Sequence, residues 1–462
     1  MNLLKTLAKF SVGTWVQALL SLVSTPVIAW LVAPEEFGKS AMFILAYNLT
    51  LNVALLAIDQ GFARFYNETV SKETLLKSCL PPLIATFAIC AIVIELAKKP
   101  INEFLFNSSN EHVVHLITLA LAGGIMLRLS NVALRMKGMA MRYSAVQILQ
   151  AVANFAATVA YALFVEASFI ALIFGLIVSQ IIAAIVAVLL YWQIWAGVFK
   201  GLKINKPLMK TVLLYSLPFV PTFLLDWLFQ GVDRTFLRIF SNFTQIGLYA
   251  TASKIAYSLN VVQTGFTTFW FPYSLERYKQ DPENTAPFST VFNVLTCVFS
   301  LLILIIIMSQ KILLILLPKS YSGVIPIFPM LLLIPMFYTI SEVTMVGINF
   351  KKKTIQHLYI IIIALCANSI SGWFLIPKNG AVGAAAAMAI GYLFFFGCRT
   401  YLGLASYHFK INFRKFLISA AFVLVAIILT LLSSIFLYFV CIAGIFVNIF
   451  MYKSDLINIK KL

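Results

Sequence analysis

The chain has 462 residues, of which 61% are hydrophobic and 11% are charged, and its mean hydropathy is +0.96. A soluble globular protein has roughly 25% charged residues, so this composition excludes a soluble enzyme or binding domain. The formal net charge is +18, and the six cysteines include no pair with CxxC spacing, which excludes a disulfide framework and a cysteine metal site.

Apolar runs that are long enough to cross a ~30 Å hydrocarbon core as a helix recur along the whole chain. Because these runs are continuous rather than alternating, they exclude a transmembrane β-barrel. The first run is too long for a signal-peptide core and is expected to be a retained span. We therefore predict an all-α integral membrane protein with about 14 transmembrane helices, at residues 11–32, 40–61, 79–97, 113–133, 144–165, 168–194, 211–231, 246–271, 289–309, 323–349, 355–376, 380–400, 413–432 and 434–452.

The basic residues concentrate on one side of these predicted spans. The clusters are Lys200, Lys203, Lys206 and Lys210, then Lys351, Lys352 and Lys353, then Lys410, Arg414 and Lys415. The positive-inside rule places such clusters in the cytoplasm, which predicts a multi-pass protein with both termini cytoplasmic. The basic excess is thus explained by membrane topology, with membrane lipids as partners and no nucleic acid.

A weak internal repeat suggests two related halves. Gly247 follows Gly38 by 209 positions, and Leu45-Ala46-Tyr47-Asn48-Leu49 is echoed by Ile255-Ala256-Tyr257-Ser258-Leu259. Two parallel six-helix halves are an arrangement found in transporters. The predicted organisation is an N-terminal six-helix lobe at 1–197, a basic cytoplasmic linker at 198–210, a C-terminal six-helix lobe at 211–408, and two additional helices with a cytoplasmic tail at 409–462. No loop is long enough for a catalytic domain, so the chain is not expected to be an enzyme.

Polar residues inside the spans identify candidate functional groups. An Arg, Lys or Asp at a helix centre costs on the order of 2.5–3.5 kcal/mol, so it is expected to face a protein interior or a water-filled cavity. Ionisable candidates within spans are Asp59, Arg128, Asp226, Lys254 and Glu342, and neutral ones include Gln17, Asn48 and Asn52. For the neutral residues, hydrogen bonding between helices is an equal alternative.

Four arginines lie near predicted span ends: Arg64, Arg135, Arg234 and Arg399. Snorkelling to the lipid head groups explains them as well as a functional role does. Arg135 follows Arg128 at i+7, which places both on one face of the fourth span.

Several short motifs together resemble a known family. They are Leu31-Val32-Ala33-Pro34-Glu35-Glu36-Phe37-Gly38, Asp59-Gln60-Gly61-Phe62-Ala63-Arg64-Phe65-Tyr66, Pro218-x-x-Pro221 with Asp233-Arg234, Gly247-x-Tyr249, and Gly380-x-x-Gly383-Ala384-Ala385. In order and spacing the chain resembles the O-antigen and capsule repeat-unit flippases. They belong to the superfamily that also holds multidrug/cation antiporters (MATE) and lipid II flippases.

The resemblance implies two MATE-like lobes around a cationic cavity and alternating access. The implied substrate is an undecaprenyl-diphosphate-linked oligosaccharide, moved from the cytoplasmic to the outer leaflet of a bacterial inner membrane for O-antigen, capsule or exopolysaccharide biosynthesis. A polysaccharide polymerase and a chain-length regulator are further implied partners. No cofactor is expected, and the coupling ion would be H⁺ or Na⁺.

On this basis the substrate-binding residues are expected to be Arg128, Lys254, Arg64, Arg135, Arg234, Asn48, Asn52 and Gln17, and the ion-coupling residues Asp226, Glu342 and Asp59. Two alternatives remain open. A MATE-type antiporter would need an acidic cavity, which the basic fourth span disfavours. A membrane polymerase or glycosyltransferase would need an external catalytic loop, which is absent from the predicted topology.

Overall fold

A computed structural model describes residues 3–107, 110–199 and 204–458, and every regular element in these ranges is a helix. Contacts divide the chain into two compact units, Met1–Gly231 and Val232–Leu462. The predicted all-α membrane fold is confirmed. The unit boundary lies inside a helix, and the predicted lobe boundaries around the linker at 198–210 stay a prediction.

The first unit is built on long apolar helices. Its elements are α1 Leu3–Leu31, α2 Pro34–Leu55, α3 Ile58–Phe65, α4 Lys72–Leu96, α5 Lys98–Phe106, α6 His115–Met136, α7 Ala140–Phe164, α8 Phe169–Leu190, α9 Trp192–Phe199, α10 Lys206–Ser216 and α11 Val220–Phe240, which continues into the second unit. Helix α7 packs against α1 and α8, and α6 packs against α8 and α2. This packing places α6, which carries Arg128, between α2 and α8.

The second unit begins in α11. Its further elements are α12 Phe243–Ala256, α13 Asn260–Gln280, α14 Ala286–Met308, α15 Gln310–Leu316, α16 Phe328–Leu331, α17 Leu333–Thr344, α18 Val346–Phe350, α19 Ile355–Ser406, α20 Phe413–Leu431 and α21 Phe436–Asn458. Helix α14 packs against α17, α20 and α21, and α17 packs against α19. The two C-terminal helices are therefore part of the second unit's core.

Within the described ranges, nine helices are long and apolar enough to cross a membrane, or ten if α2 and α3 form one bent span. Shorter apolar helices at Trp15–Leu31 and Phe328–Thr344 fall within two other predicted spans. The count of 14 stays a prediction, because several predicted spans are interrupted. In α19, Gly380 has a φ of +52°, and Gly383 packs against the carbonyl of Leu375. The chain therefore folds back at the predicted boundary between the eleventh and twelfth spans.

Each unit contains a helix-capping contact of the same kind. In the first, the Glu36 carboxylate accepts a hydrogen bond from the backbone N–H of Phe169 at 2.9 Å, at the start of α8. In the second, the Gln245 side-chain oxygen accepts one from the N–H of Ala381 at 3.0 Å, directly after Gly380. Gln245 follows Glu36 by the same 209 positions that separate Gly38 from Gly247. Both side chains satisfy a donor that the start of a helix leaves without an intrahelical partner.

Polar contacts join the C-terminal helices α20 and α21 to each other and to α14. Asp455 of α21 accepts from Lys415 of α20 at 2.8 Å and from Asn293 of α14 at 3.0 Å. Ser419 of α20 donates to Asn448 of α21 at 2.6 Å. Because these groups satisfy one another, α20 and α21 can carry them next to lipid without exposing a free charge.

Replacing Glu36 by Ala is predicted to destabilise the first unit by about 1–2 kcal/mol, because the Phe169 N–H loses a charged acceptor. Chemical unfolding in detergent micelles measures the change. Glu35→Ala is the matched control, because both acids form an ion pair with Lys39 and, among the described residues, Glu36 is the one that accepts from the Phe169 N–H. Glu35 is 56% exposed, so we expect about 0–0.5 kcal/mol. Equal effects of the two substitutions would contradict the capping role.

Candidate functional site

The predicted second span, 40–61, is broken inside its last turns. Helix α2 stops at Leu55, and the next two residues, Leu56 (φ 46°) and Ala57 (φ 54°), adopt the left-handed conformation. Helix α3 then leaves at an angle of 47° to α2. Left-handed backbone costs an L-residue roughly 1–2 kcal/mol, so the surrounding structure has to hold this break in place.

One side chain of α4 satisfies a carbonyl that the break frees. The Thr86 hydroxyl lies 2.6 Å from the carbonyl oxygen of Ala54 and donates to it. A broken helix is tolerated at membrane depth when neighbouring hydroxyls supply such hydrogen bonds. The break is thus a supported feature of the first unit.

Directly after the break, Asp59 of α3 is bound by Arg128 of α6. The guanidinium donates from Nε to Oδ2 at 3.0 Å, and Nη2 lies 2.9 Å from the same oxygen. Gln60 adds a hydrogen bond to Oδ2 at 3.0 Å. The Asp59 side chain is 2% exposed, so without Arg128 it would be an uncompensated buried charge, which is strongly destabilising.

The two partners differ in exposure. The Arg128 side chain is 52% exposed, although it projects from an apolar helix. A guanidinium has five N–H donors, and Asp59 engages only Nε and Nη2. Arg128 therefore presents its remaining donors outward in a fixed orientation, which suits it to bind a phosphate or carboxylate.

Other members of this face of α6 show different environments. Arg135 is exposed, and the part of the chain that the structure describes gives it no ion pair. Asn131, between the two arginines, has a buried side-chain oxygen without a hydrogen-bond partner among the described residues. Of these polar residues of α6, Arg128 is the one that an ion pair to another helix holds in place.

Helix α3 is also fixed from its other side. A Cβ at Gly61 would collide with Ser216 and Val212 of α10, so only glycine allows this close approach. Arg64, later in α3, forms an ion pair with Glu68, and both side chains are about half exposed. Arg64 is thus paired locally, whereas Asp59 and Gly61 tie α3 to α6 and α10.

The remaining candidates of the first unit lie on separate helices. Asn48 is exposed and Asn52 half-buried on α2. Gln17 is half-buried on α1, one turn after Gly13, which contacts the backbone of Ser144. These residues stay candidates, because the described contacts do not join them to Arg128.

Asp226 of α11 is half-buried. Its neighbour Trp227 donates from its indole N–H to the carbonyl of Leu45 at 2.9 Å. Asp226 is therefore positioned beside α2.

The second unit contains a separate buried polar cluster. Asp233 is fully buried, accepts from the Tyr249 hydroxyl at 2.9 Å and lies beside the side chain of Asn368. Arg234 lies close enough to act electrostatically on Asp233, Tyr249 and Lys254. Lys254 itself is half-buried. The sequence motif Asp233-Arg234 thus combines a fully buried acid with a half-buried arginine.

Glu342 of α17 is not a free acid. It lies 2.6 Å from Arg399 of α19 in an ion pair whose side chains are 11% and 10% exposed, and Arg399 also donates to Ser341 at 3.2 Å. The guanidinium packs over the rings of Phe395 and Tyr338, at 4.3 and 5.1 Å from their centroids. Snorkelling is therefore the wrong explanation for Arg399, because the carboxylate and the aromatic faces hold it inside the protein.

Sequence reasoning left two residues out of the candidate site. Asp233 was recognised in the Asp233-Arg234 motif and stands at i+7 from Asp226, which places both on one helical face, but its contact with Tyr249 is visible only in the structure. Thr86 gave no signal, because a threonine in an apolar run is ordinary and only the break in α2 gives it a role.

Comparisons with known proteins agree with this architecture. A protein-family profile described as "Polysaccharide biosynthesis protein" matches residues 3–277, more than half of the chain. No curated protein sequence matches.

Solved structures are similar in fold. Lipid II flippase MurJ in an inward closed conformation aligns at a TM-score of 0.72 and 14% identity, over 96% of this chain and 98% of that one. A mutant of the Vibrio cholerae MATE transporter VcmN aligns at 0.57 and 17% identity, over 87% and 96%. An inward-facing multidrug resistance MATE family transporter of the MOP superfamily aligns at 0.54 and 14%, over 87% and 94%. At these identities the likeness establishes the MurJ- and MATE-like fold.

A double-mutant cycle is predicted to reveal the asymmetry of the Asp59–Arg128 pair. Arg128→Gln leaves a buried carboxylate unpaired and should destabilise the fold by about 2–3 kcal/mol, whereas Asp59→Asn leaves a half-exposed arginine and should cost about 1 kcal/mol. The double variant should recover more than about 1 kcal/mol relative to the sum. Chemical unfolding in micelles measures all three, and additive effects would show that the pair contributes no coupling.

Proposed function

The chain belongs to the polysaccharide biosynthesis protein family, and on this premise we propose that it is a flippase for lipid-linked oligosaccharides and not an enzyme. The proposed substrate is an undecaprenyl-diphosphate-linked repeat unit, moved from the cytoplasmic to the outer leaflet of a bacterial inner membrane for O-antigen, capsule or exopolysaccharide synthesis. The observation that carries the proposal is Arg128, half exposed and oriented by the buried Asp59.

Arg128 supplies what the head group of such a lipid lacks in hydrocarbon. A diphosphate cannot cross the apolar core unaided, because its charges would lose water without replacement. A guanidinium that is already oriented can replace part of that water with charge-assisted hydrogen bonds. Because Asp59 holds Arg128 before the ligand arrives, little side-chain entropy remains to be lost on binding. Lys254, Arg234, Arg135 and Arg64 are the further cationic candidates.

The sugars need neutral hydrogen-bonding groups, and exposed polar residues on apolar helices are suited to this role. Asn48 on α2 is exposed, and Asn52 and Gln17 are half-buried. In the second unit, Thr264 and Thr268 of α13 are exposed in a predicted span, and their hydroxyls donate to their own helix. Their oxygens retain lone pairs that can accept from sugar hydroxyls.

The polyprenyl tail stays in the bilayer. The second unit has an apolar groove of about 250 Å³ between α17, α19 and α20, lined by Leu333, Phe337, Leu393, Leu417 and Leu424 among others. Such a surface can receive an uncharged hydrocarbon chain while the head group occupies a polar cavity.

The membrane potential and an ion gradient can both drive the outward movement of the head group. Because the cytoplasm is negative, outward movement of an anion is favoured by roughly 2.3 kcal/mol per charge per 100 mV. We also propose that an acid within the spans binds H⁺ or Na⁺. The candidates are Asp226, Glu342 and Asp59, to which the buried Asp233 is added here.

Transport in proteoliposomes tests the proposal. With a labelled undecaprenyl-diphosphate oligosaccharide, protein-dependent exposure of the sugar on the far leaflet is expected. Arg128→Ala should lower the rate at least tenfold, and Arg128→Lys should recover part of it, because lysine keeps the charge and loses the bidentate geometry. Lys137→Gln, at the end of the same helix, is the control for net charge.

The result that overturns the proposal is the absence of flipping in folded wild-type protein for several such lipids. If a cationic dye were exported by that protein instead, the MATE-type antiporter would be the better assignment. Flipping that Arg128→Ala leaves unchanged would keep the function and remove Arg128 from the site.

The coupling acid is predicted to be identifiable by isosteric neutralisation. Asp226→Asn, Glu342→Gln, Asp59→Asn and Asp233→Asn are each assayed with and without an imposed H⁺ or Na⁺ gradient. The coupling variant should lose the response to the gradient, because it can no longer exchange the ion. If all four variants respond as wild type does, none of these acids couples transport to the gradient.

A further inference from the structure

The first unit carries an apolar groove between α4 and α6, here called the α4–α6 groove. It has a volume of about 250 Å³ and is lined by Leu80, Ile84 and Phe87 of α4, Ile125 and Met126 of α6, and Trp195 of α9. Ile84 is 64% exposed, so the groove opens outward. On a helix pair that spans a membrane, such an opening faces lipid.

Helix α9 closes one end of this groove at the predicted cytoplasmic side. Gly197 packs directly against the side chain of Glu73 in the first turn of α4. Trp192 is half exposed, as expected of a side chain in the interfacial region. Trp195, in contrast, is 7% exposed, and its indole N–H has no hydrogen-bond partner among the described residues. The mouth of the groove thus lies at head-group level.

Lys77 of α4 stands one turn before Leu80, which lines the groove, on the side toward this mouth. It also follows Glu73, which Gly197 of α9 contacts, by four positions, so helical spacing puts Lys77 on the α4 face that carries Glu73 and Leu80. It is half-buried. The structure assigns it no ion pair or hydrogen bond in the described ranges, since Glu73 instead accepts from Ser71 at 3.0 Å. Helical side chains tilt toward the helix N-terminus, which directs the Lys77 ammonium away from the groove and toward the membrane surface.

We propose that the α4–α6 groove is a binding site for an anionic phospholipid of the surrounding membrane. One acyl chain lies in the groove, and Lys77 binds the phosphate at its mouth. The charge complementarity favours a phospholipid, because a free phosphate would gain nothing from the apolar lining and an uncharged chain would gain nothing from Lys77. The site is independent of the proposed transport function.

The groove adjoins a buried cluster that reaches the end of α2. Leu83 and Leu129, which line it, belong to the same buried cluster as Leu55, the last residue of α2. An acyl chain in the groove would therefore press on the side of α4 and α6 that supports the broken helix. We infer that the bound lipid stabilises the first unit.

Native mass spectrometry of the purified full chain tests this directly. The protein is mixed with phosphatidylglycerol or phosphatidylcholine of the same acyl chains, and retained lipid is counted as the detergent is removed. Wild type should retain one phosphatidylglycerol in preference, and its thermal midpoint should rise with that lipid. Lys77→Gln should lower the preference about fivefold, since one lysine at an anionic surface contributes about that factor.

Two further variants make the result specific. Ile84→Trp fills the groove from its exposed side and should lower retention of both lipids without unfolding the protein. Lys99→Gln removes an exposed lysine just beyond the other end of α4 and should change nothing. Equal retention of the two lipids, or a preference that survives Lys77→Gln, would overturn the proposal. So would displacement of phosphatidylglycerol by undecaprenyl phosphate, because the groove would then hold the substrate's tail.

Discussion

Hydrocarbon offers no hydrogen-bond partner and no counter-charge, so each interruption of a spanning helix has to be satisfied by another part of the same protein. The region around Asp59 meets this requirement three times. Thr86 donates to the carbonyl that the end of α2 leaves free, Arg128 neutralises the carboxylate of Asp59, and Gly61 lets α10 close over α3. If any one of these contacts is removed, the left-handed residues Leu56 and Ala57 lose part of the support that offsets their conformational cost.

The two units meet the same requirement with related contacts. Glu36 and Gln245 each cap the start of a helix far along the chain, and they stand at equivalent places in the repeat. The Pro34-Glu35-Glu36 motif that marks the family resemblance is therefore a structural device. Its acid Glu36 binds a backbone N–H, whereas the charges that suit a ligand lie deeper, at Arg128 and Lys254. In each unit an arginine pairs with a largely buried carboxylate of another helix, and this arginine is half exposed in the first unit and enclosed in the second.

Composition and continuous apolar runs were sufficient to predict an all-α membrane protein, because the length of a spanning helix follows from the thickness of the bilayer. Gly380 could be placed between the eleventh and twelfth spans, because the apolar runs on its two sides each have the length of a spanning helix. The break at Leu56 and Ala57 could not, since neither residue favours a left-handed conformation and the contacts that impose it come from α4 and α6. Charges inside spans could be recognised as costly, but their partners could not. The sequence assigns Asp59 and Arg128 to different roles and leaves Arg399 open between an interfacial anchor and a functional group, because the contact of Arg399 with Glu342 joins residues 57 positions apart.

The spacing of these pairs along the chain bears on how the protein enters a membrane. Asp59 and Arg128 are 69 residues apart, and Glu342 and Arg399 are 57 apart, so each pair closes within one unit. During synthesis, the segment with Asp59 reaches the bilayer well before α6 exists, so its charge has to stay at the interface until then. Once α6 arrives, the pair can form while most of the chain is still unmade. Each unit can therefore neutralise its own charges in turn, and biogenesis need not hold unpaired ions until the last helix is inserted.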